Sequence, residues 1–167
     1  MDLMNYIDRG GVIVLILIGL NIIGWSIMLV KFFQLTFINS KKLQISNHIV
    51  QILEKTNPNF LNQTLQNSLE NQIKSLEGGL NIIKIIASIA PLLGLLGTVV
   101  GVLSAFDSIA QNGLGQTSVF ASGISVALIT TIAGLIVAIP HIMGYNYFIS
   151  RIDKIELEIQ KEILEKI

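Results

Sequence analysis

Cysteine is absent, which excludes disulfides and thiolate metal sites. Histidine is almost absent: His48 and His141 lie far apart in sequence, a poor start for a metal centre. Charge is scarce at 13% of residues, about half the usual share. Neither sign dominates, because 11 Lys and Arg balance 11 Asp and Glu, so no basic excess exists to hold nucleic acid. No Ser/His/Asp arrangement, phosphate-cradling glycine loop or usefully spaced carboxylate pair is visible. No enzyme, metal or cofactor is expected, and no internal repeat or low-complexity segment is found. What the 167 residues have instead is apolar surface: 51% are hydrophobic and the mean hydropathy is +0.68. These values point away from a soluble globular domain and from a disordered chain. At 18.3 kDa a single domain in a membrane is expected.

Three uncharged runs carry that surface. Gly10 to Val30 is 21 residues, Ile85 to Phe106 is 22 and Ser108 to Ser150 is 43. A helix of about 20 apolar residues crosses the hydrocarbon layer. The first two runs each fit one crossing. The third fits a crossing plus the polar, Gly-rich turn Gln111-Asn112-Gly113-Leu114-Gly115-Gln116. Transmembrane helices are therefore expected at 11–35, 82–109 and 118–149. The alternative, three buried helices of a soluble bundle, fits poorly with runs this long. No cleavable signal peptide is expected, since Asp2, Asp8 and Arg9 stand where a basic leader belongs.

Charge asymmetry gives direction. Lys31, Lys41, Lys42, Lys55, Lys74 and Lys84 flank the first two runs, and Arg151, Lys154, Lys161 and Lys166 follow the third. The N-terminus has only Arg9, and 110–117 has no charge. By the positive-inside rule, 36–81 and 150–167 face the cytoplasm, while 1–10 and the 110–117 turn face outward. The inverted topology is the alternative. Leu61, Leu65, Leu69, Ile73, Leu76, Leu80 and Ile83 step by three or four residues, predicting a helix that runs straight into the second span. Pro58 marks a break before it, and a weaker helix is expected at about 38–55. Ile152, Ile155, Ile159, Ile163 and Ile167 form a further stripe, so the third span should continue as one rod. The fold class is an all-α membrane protein: three transmembrane helices with long cytoplasmic helical extensions.

Small residues inside the spans are the most informative feature. At 100° per residue, Ala87, Ala90, Pro91, Gly94, Gly97, Thr98, Gly101, Ser104, Ala105 and Ser108 share about 140° of the second span. Gly123, Ala127, Thr130, Thr131, Gly134, Ala138 and His141 share an arc of about 100° in the third. In lipid such faces let backbones approach closely. They serve either a tight pair within one chain or a wall shared among subunits. Thr98 and Thr131 are equidistant from a turn centred at 114–115, which puts their hydroxyls at one depth. They either supply donors and acceptors where lipid has none, or bond back to their own helices. No formal charge falls deep in a span. His141 is expected near the cytoplasmic interface and is a candidate proton exit. Any acid needed to move protons would come from a partner.

The blocks Ala90-Pro91-Leu92-Leu93-Gly94-Leu95-Leu96-Gly97-Thr98-Val99-Val100-Gly101 and Gly123 to Pro140 resemble the signature of the MotA/TolQ/ExbB proton-channel family, most closely a short ExbB. The resemblance implies a pentameric ring in the bacterial inner membrane around a central pore. That pore would hold an ExbD-like single-span partner bearing a membrane aspartate. Proton flow there would energise a TonB-like protein for outer-membrane import of iron complexes or vitamins. Matched by position, Thr98, Thr131, Thr130, Gly94, Gly101, Ala127 and Gly134 would line the ion path, with Pro91 and Pro140 as the two span prolines. Family members commonly carry an acid where this chain has Val126, which moves weight onto the partner's aspartate. The rivals are a TolQ-like subunit for envelope maintenance and a non-conducting membrane scaffold.

Overall fold

The computed structural model describes residues 3–113 and 117–166. Part of the expected turn at 110–117 and the ends of the terminal segments lie outside the described residues. Five α-helices follow in order: α1 Leu3–Thr36, α2 Asn39–Glu54, α3 Leu61–Glu77, α4 Leu80–Asn112 and α5 Thr117–Leu164, with a short 3₁₀ turn at Pro58–Phe60. No strand occurs among the described residues. Among the described residues, three stretches are long and apolar enough to cross a membrane: Gly10–Thr36, Leu80–Gln111 and Phe120–Leu164. The protein is an all-α, multi-pass membrane protein.

Local chemistry explains the breaks. Gly11 in α1 has φ 60° and ψ −153°, a conformation essentially reserved for glycine, and the helix kinks there. Before α3, the Asn57 side-chain oxygen accepts the Asn59 N–H at 3.2 Å, an Asx turn that starts the chain into Pro58. The expected straight run from Leu61 into the second span is corrected. Gly78 leaves helical geometry and Gly79 takes φ 85°, so α3 stops and α4 starts afresh. A glycine pair is the weakest point of any helix, because it has the most backbone freedom to lose. The apolar repeat continues across the break, with Leu76, Leu80 and Ile83 all buried.

The chain divides into two compact units, Met1–Ser26 with Ile82–Met143 and Ile27–Asn81 with Gly144–Ile167. In the first, Leu17 of α1, Ile86 and Ala90 of α4, and Val137 and Ala138 of α5 form the core, rimmed by Ile13, Leu20, Leu93 and Ala133. In the second, the stripe Ile152, Ile155, Ile159 and Ile163 of α5 is buried, as are Ile49 and Leu53 of α2 and Leu69 and Ile73 of α3. Polar ties join α2 to α5 there. Lys42 pairs with Glu158, and Lys166 Nζ donates to Asn47 Oδ1 at 2.9 Å and Ser46 Oγ at 3.2 Å. Lys31, only 6% exposed, donates to the Leu76 carbonyl and to Gln34 Oε1, both at 2.9 Å. It thereby caps the last turn of α3 just before the glycine break.

Candidate functional site: the seam of α4 and α5

Within the first unit, α4 and α5 run antiparallel and meet along their small residues. A Cβ added to Gly101 would lie 2.9 Å from both the Ala127 nitrogen and the Gly123 carbonyl oxygen. One on Gly94 would lie 2.9 Å from the Thr130 carbonyl oxygen and 3.1 Å from the Thr131 Cα. One on Gly134 would lie 2.6 Å from the Ala90 carbonyl oxygen. A Cβ on Gly97 would strike the Thr130 side chain. The contacts at Gly94, Gly101 and Gly134 are backbone to backbone, and only the missing side chain permits them. Of the two uses of a small-residue face, the pair within one chain is the one formed here. Gly94, Gly101, Ala127, Gly134 and Thr130 all belong to it and are buried.

The threonines differ from one another. Thr130 is 1% exposed and its hydroxyl donates to the Ala127 carbonyl at 2.9 Å. Thr131, half-buried, reaches across the seam to the Gly94 carbonyl at 3.4 Å, a long and weak bond. Thr98, also half-buried, donates to the Leu95 carbonyl of its own helix at 2.5 Å. It edges an open groove of about 400 Å³ with Val99, Val102, Leu103 and Phe106. Gly97 opposite Thr130, and Gly94 against Thr131, set a register that leaves Thr98 and Thr131 about two to four residues apart in level, within roughly one helical turn. Each hydroxyl hydrogen is committed to a carbonyl, and each oxygen keeps lone pairs to accept with. Beyond the seam, Leu92, Leu95, Leu96, Val99, Val100, Leu103 and Phe106 of α4 and Leu128, Ile132, Ile136 and Ile139 of α5 are exposed. So wide an apolar surface belongs in lipid or against other helices. Val126 stands half-buried on α5. Pro91 and Pro140 both sit inside unbroken helices, where they leave the carbonyls of Ala87 and Ile136 without their usual donors.

His141 is fully buried among the helices of its own chain. Its Nδ1 is 2.6 Å from the Val137 carbonyl oxygen. A carbonyl only accepts, so the hydrogen of this bond belongs to Nδ1. The imidazole fits because α1 has Gly24 there, whose hydrogen takes the place of a side chain the ring would displace. The Trp25 ring packs edge-on at 6.3 Å and 74°. His141 Nε2 and Asn21 Oδ1 are buried without a hydrogen-bond partner among the described residues. Asn21 and Gly24 are the residues sequence reasoning missed. Their signal is faint: an amide and a glycine three apart in an otherwise apolar run. No cluster of metal-ligating side chains occurs among the described residues.

An antiparallel pair of apolar helices joined by glycines, with hydroxyls near mid-span and wide outer apolar faces, defines a membrane-embedded helical subunit built for close packing. The chain belongs to the MotA/TolQ/ExbB proton channel family, whose profile matches residues 36–161. It is 43% identical over 79 residues to the biopolymer transport protein ExbB of Aquifex aeolicus, a stretch covering 47% of this chain and 53% of that one. Against exbB1 of Vibrio cholerae it is 42% identical over 77 residues, 46% of this chain and 34% of the relative. Against the Tol-Pal system protein TolQ of Haemophilus influenzae it is 37% identical over 89 residues, 53% of this chain and 39% of the relative. The matched stretches thus cover about a third to a half of these relatives' lengths.

Proposed function

We propose that this chain is the inner-membrane channel and stator subunit of a TonB-type system. In this reading it forms a pentameric ring around the membrane helix of an ExbD-like partner. The C-terminus and 36–81 face the cytoplasm, and the N-terminus faces the periplasm. The partner's aspartate takes and releases protons beside the Thr98 and Thr131 hydroxyls, and the movement is passed to a TonB-like protein. Gly94, Gly101, Ala127, Gly134 and Thr130 hold the wall that presents those hydroxyls, and His141 Nε2 offers a proton acceptor towards the cytoplasmic end. The observation that carries the reading is the α4–α5 seam: half-buried threonines within about one helical turn of each other in a wall whose uncharged runs contain no carboxylate. The names of the ExbB relatives favour it. An ionised Asp at mid-bilayer costs about 2.5–3.5 kcal/mol on insertion scales. One charge crossing 100 mV yields about 2.3 kcal/mol. The two terms are comparable; a protonated Asp can donate to the threonine oxygens, whereas an ionised one must draw the hydroxyls off the carbonyls they now bond, so protonation can switch the partner helix.

The test is Thr98→Val and Thr131→Val, made separately. Thr98 loses only a bond within its own helix and Thr131 only a long one, so each variant should stay within about 1 kcal/mol of wild-type stability. Iron-complex uptake should nevertheless fall well below wild type at equal protein level. Full uptake by both variants would overturn the hydroxyl role. The TolQ relative supports a second reading, an envelope-maintenance subunit. The one-span protein that co-purifies with this chain separates the two. A complex that leaves liposomes proton-tight would leave only a scaffold.

A further inference from the structure

At the end of the uncharged stretches, α1 and α5 enclose a cleft of about 100 Å³ lined by Phe32, Leu35, Thr36, Tyr147, Phe148 and Arg151. All six residues belong to the second unit. Leu35 and Phe148, each 4% exposed, make an apolar floor, while Phe32 and Tyr147 stand exposed at its sides. Phe32 and Thr36 are one turn apart on α1, as are Tyr147 and Arg151 on α5. One end of the cleft is therefore aromatic and aliphatic, and the other carries a guanidinium and hydroxyls.

The position in the chain fits a membrane–water boundary. Arg151 is the first formal charge after the 43 uncharged residues from Ser108 to Ser150, and Lys31 closes the uncharged run of α1. Aromatic rings with polar tips settle at that depth. Arg151 makes no direct ion pair: among the described residues no carboxylate lies within ion-pair distance of it, and Glu158, two turns on, feels its charge only at longer range and is paired with Lys42. No Asp or Glu stands three or four residues from Arg151 along the helix. The lining contains no carboxylate to receive a cationic headgroup. The Thr36 hydroxyl hydrogen is occupied by the Phe32 carbonyl at 2.7 Å, so Arg151 and the Tyr147 hydroxyl are the donors on offer.

We propose that this cleft is a binding site for one net-anionic phospholipid. Arg151 grips the phosphate with its two-pronged donor geometry. The start of an acyl chain lies over Leu35 and Phe148, between the rings of Phe32 and Tyr147. A zwitterionic lipid gains less, because its choline finds no partner in a cleft of net positive charge.

The experiment uses the full-length chain, purified in mild detergent with whatever partners it retains. It is exposed to equal amounts of phosphatidylglycerol and phosphatidylcholine, and bound lipid is read by native mass spectrometry. Wild type should retain phosphatidylglycerol over phosphatidylcholine by about fivefold, the factor one cation near an anionic headgroup is worth. Arg151→Gln should bring the ratio close to one, with helicity unchanged. Lys161→Gln, which removes an exposed cation outside the cleft, should keep the wild-type ratio. Equal retention of the two lipids by wild type would overturn the proposal. So would an Arg151→Gln ratio like wild type, or equal losses in the Arg151 and Lys161 variants. Should Arg151→Gln fail to fold, the wild-type ratio decides alone.

Discussion

Gly101 meets the backbone of α5 at distances that leave no room for a methyl group, whereas Gly19 of α1 has open space where its side chain would be. The same residue type therefore predicts opposite outcomes. Gly101→Val should destabilise the helix pair by about 1–3 kcal/mol through overpacking. Gly19→Ala should be neutral or stabilise by about 0.5–1 kcal/mol through lost chain entropy. Thermal melts of the two variants in one detergent check both. Gly24 is a third case. Its Cβ would fall on the His141 ring, so Gly24→Val should expel the imidazole from its packing beside Trp25. Trp25 is the only tryptophan, and a change in its emission reports that displacement directly. The burial of His141 was not legible in the sequence, because it depends on which residue of α1 stands opposite, and a hydropathy pattern carries no register between distant helices.

At the scale of elements, the α3–α4 break rests on Gly79 and on Lys31. An L-residue at the Gly79 backbone angles costs about 1–2 kcal/mol, so Gly79→Ala should lower the melting point. Lys31→Met should cost about 1–3 kcal/mol, because the Leu76 carbonyl loses its buried donor. A paired thermal denaturation of the two variants tests whether the joint is held from both sides. The long apolar helices were legible, since runs of 21 and 22 uncharged residues admit little else. The isoleucine stripe of α5 was equally readable: α5 is continuous through Ile152, Ile155, Ile159 and Ile163, and Ile167 lies outside the described residues. The break at Gly78–Gly79 was hidden because Leu76, Leu80 and Ile83 keep helical spacing across it. Apolar periodicity records which residues are buried, and a two-residue change of backbone angle leaves that record intact.

For the whole molecule, the small-residue stripes told that two helices approach closely, but not whether the approach is within a chain or between chains. The physics of a glycine face is the same in both cases. The structure spends those faces on the intrachain seam, and the exposed leucines, valines and isoleucines of α4 and α5 remain for lipid and partners. Truncating one of them, as in Leu103→Ala, should leave the folded monomer within about 0.5 kcal/mol of wild type. It should weaken any larger assembly, and sedimentation of the detergent-solubilised protein would detect the shift. The seam also constrains movement. Where two rods touch through their main chains, no flexible side group is left between them to absorb sliding. The second and third crossings are then joined as one stiff stave, and the freedom to slip is left to its greasy outer flanks.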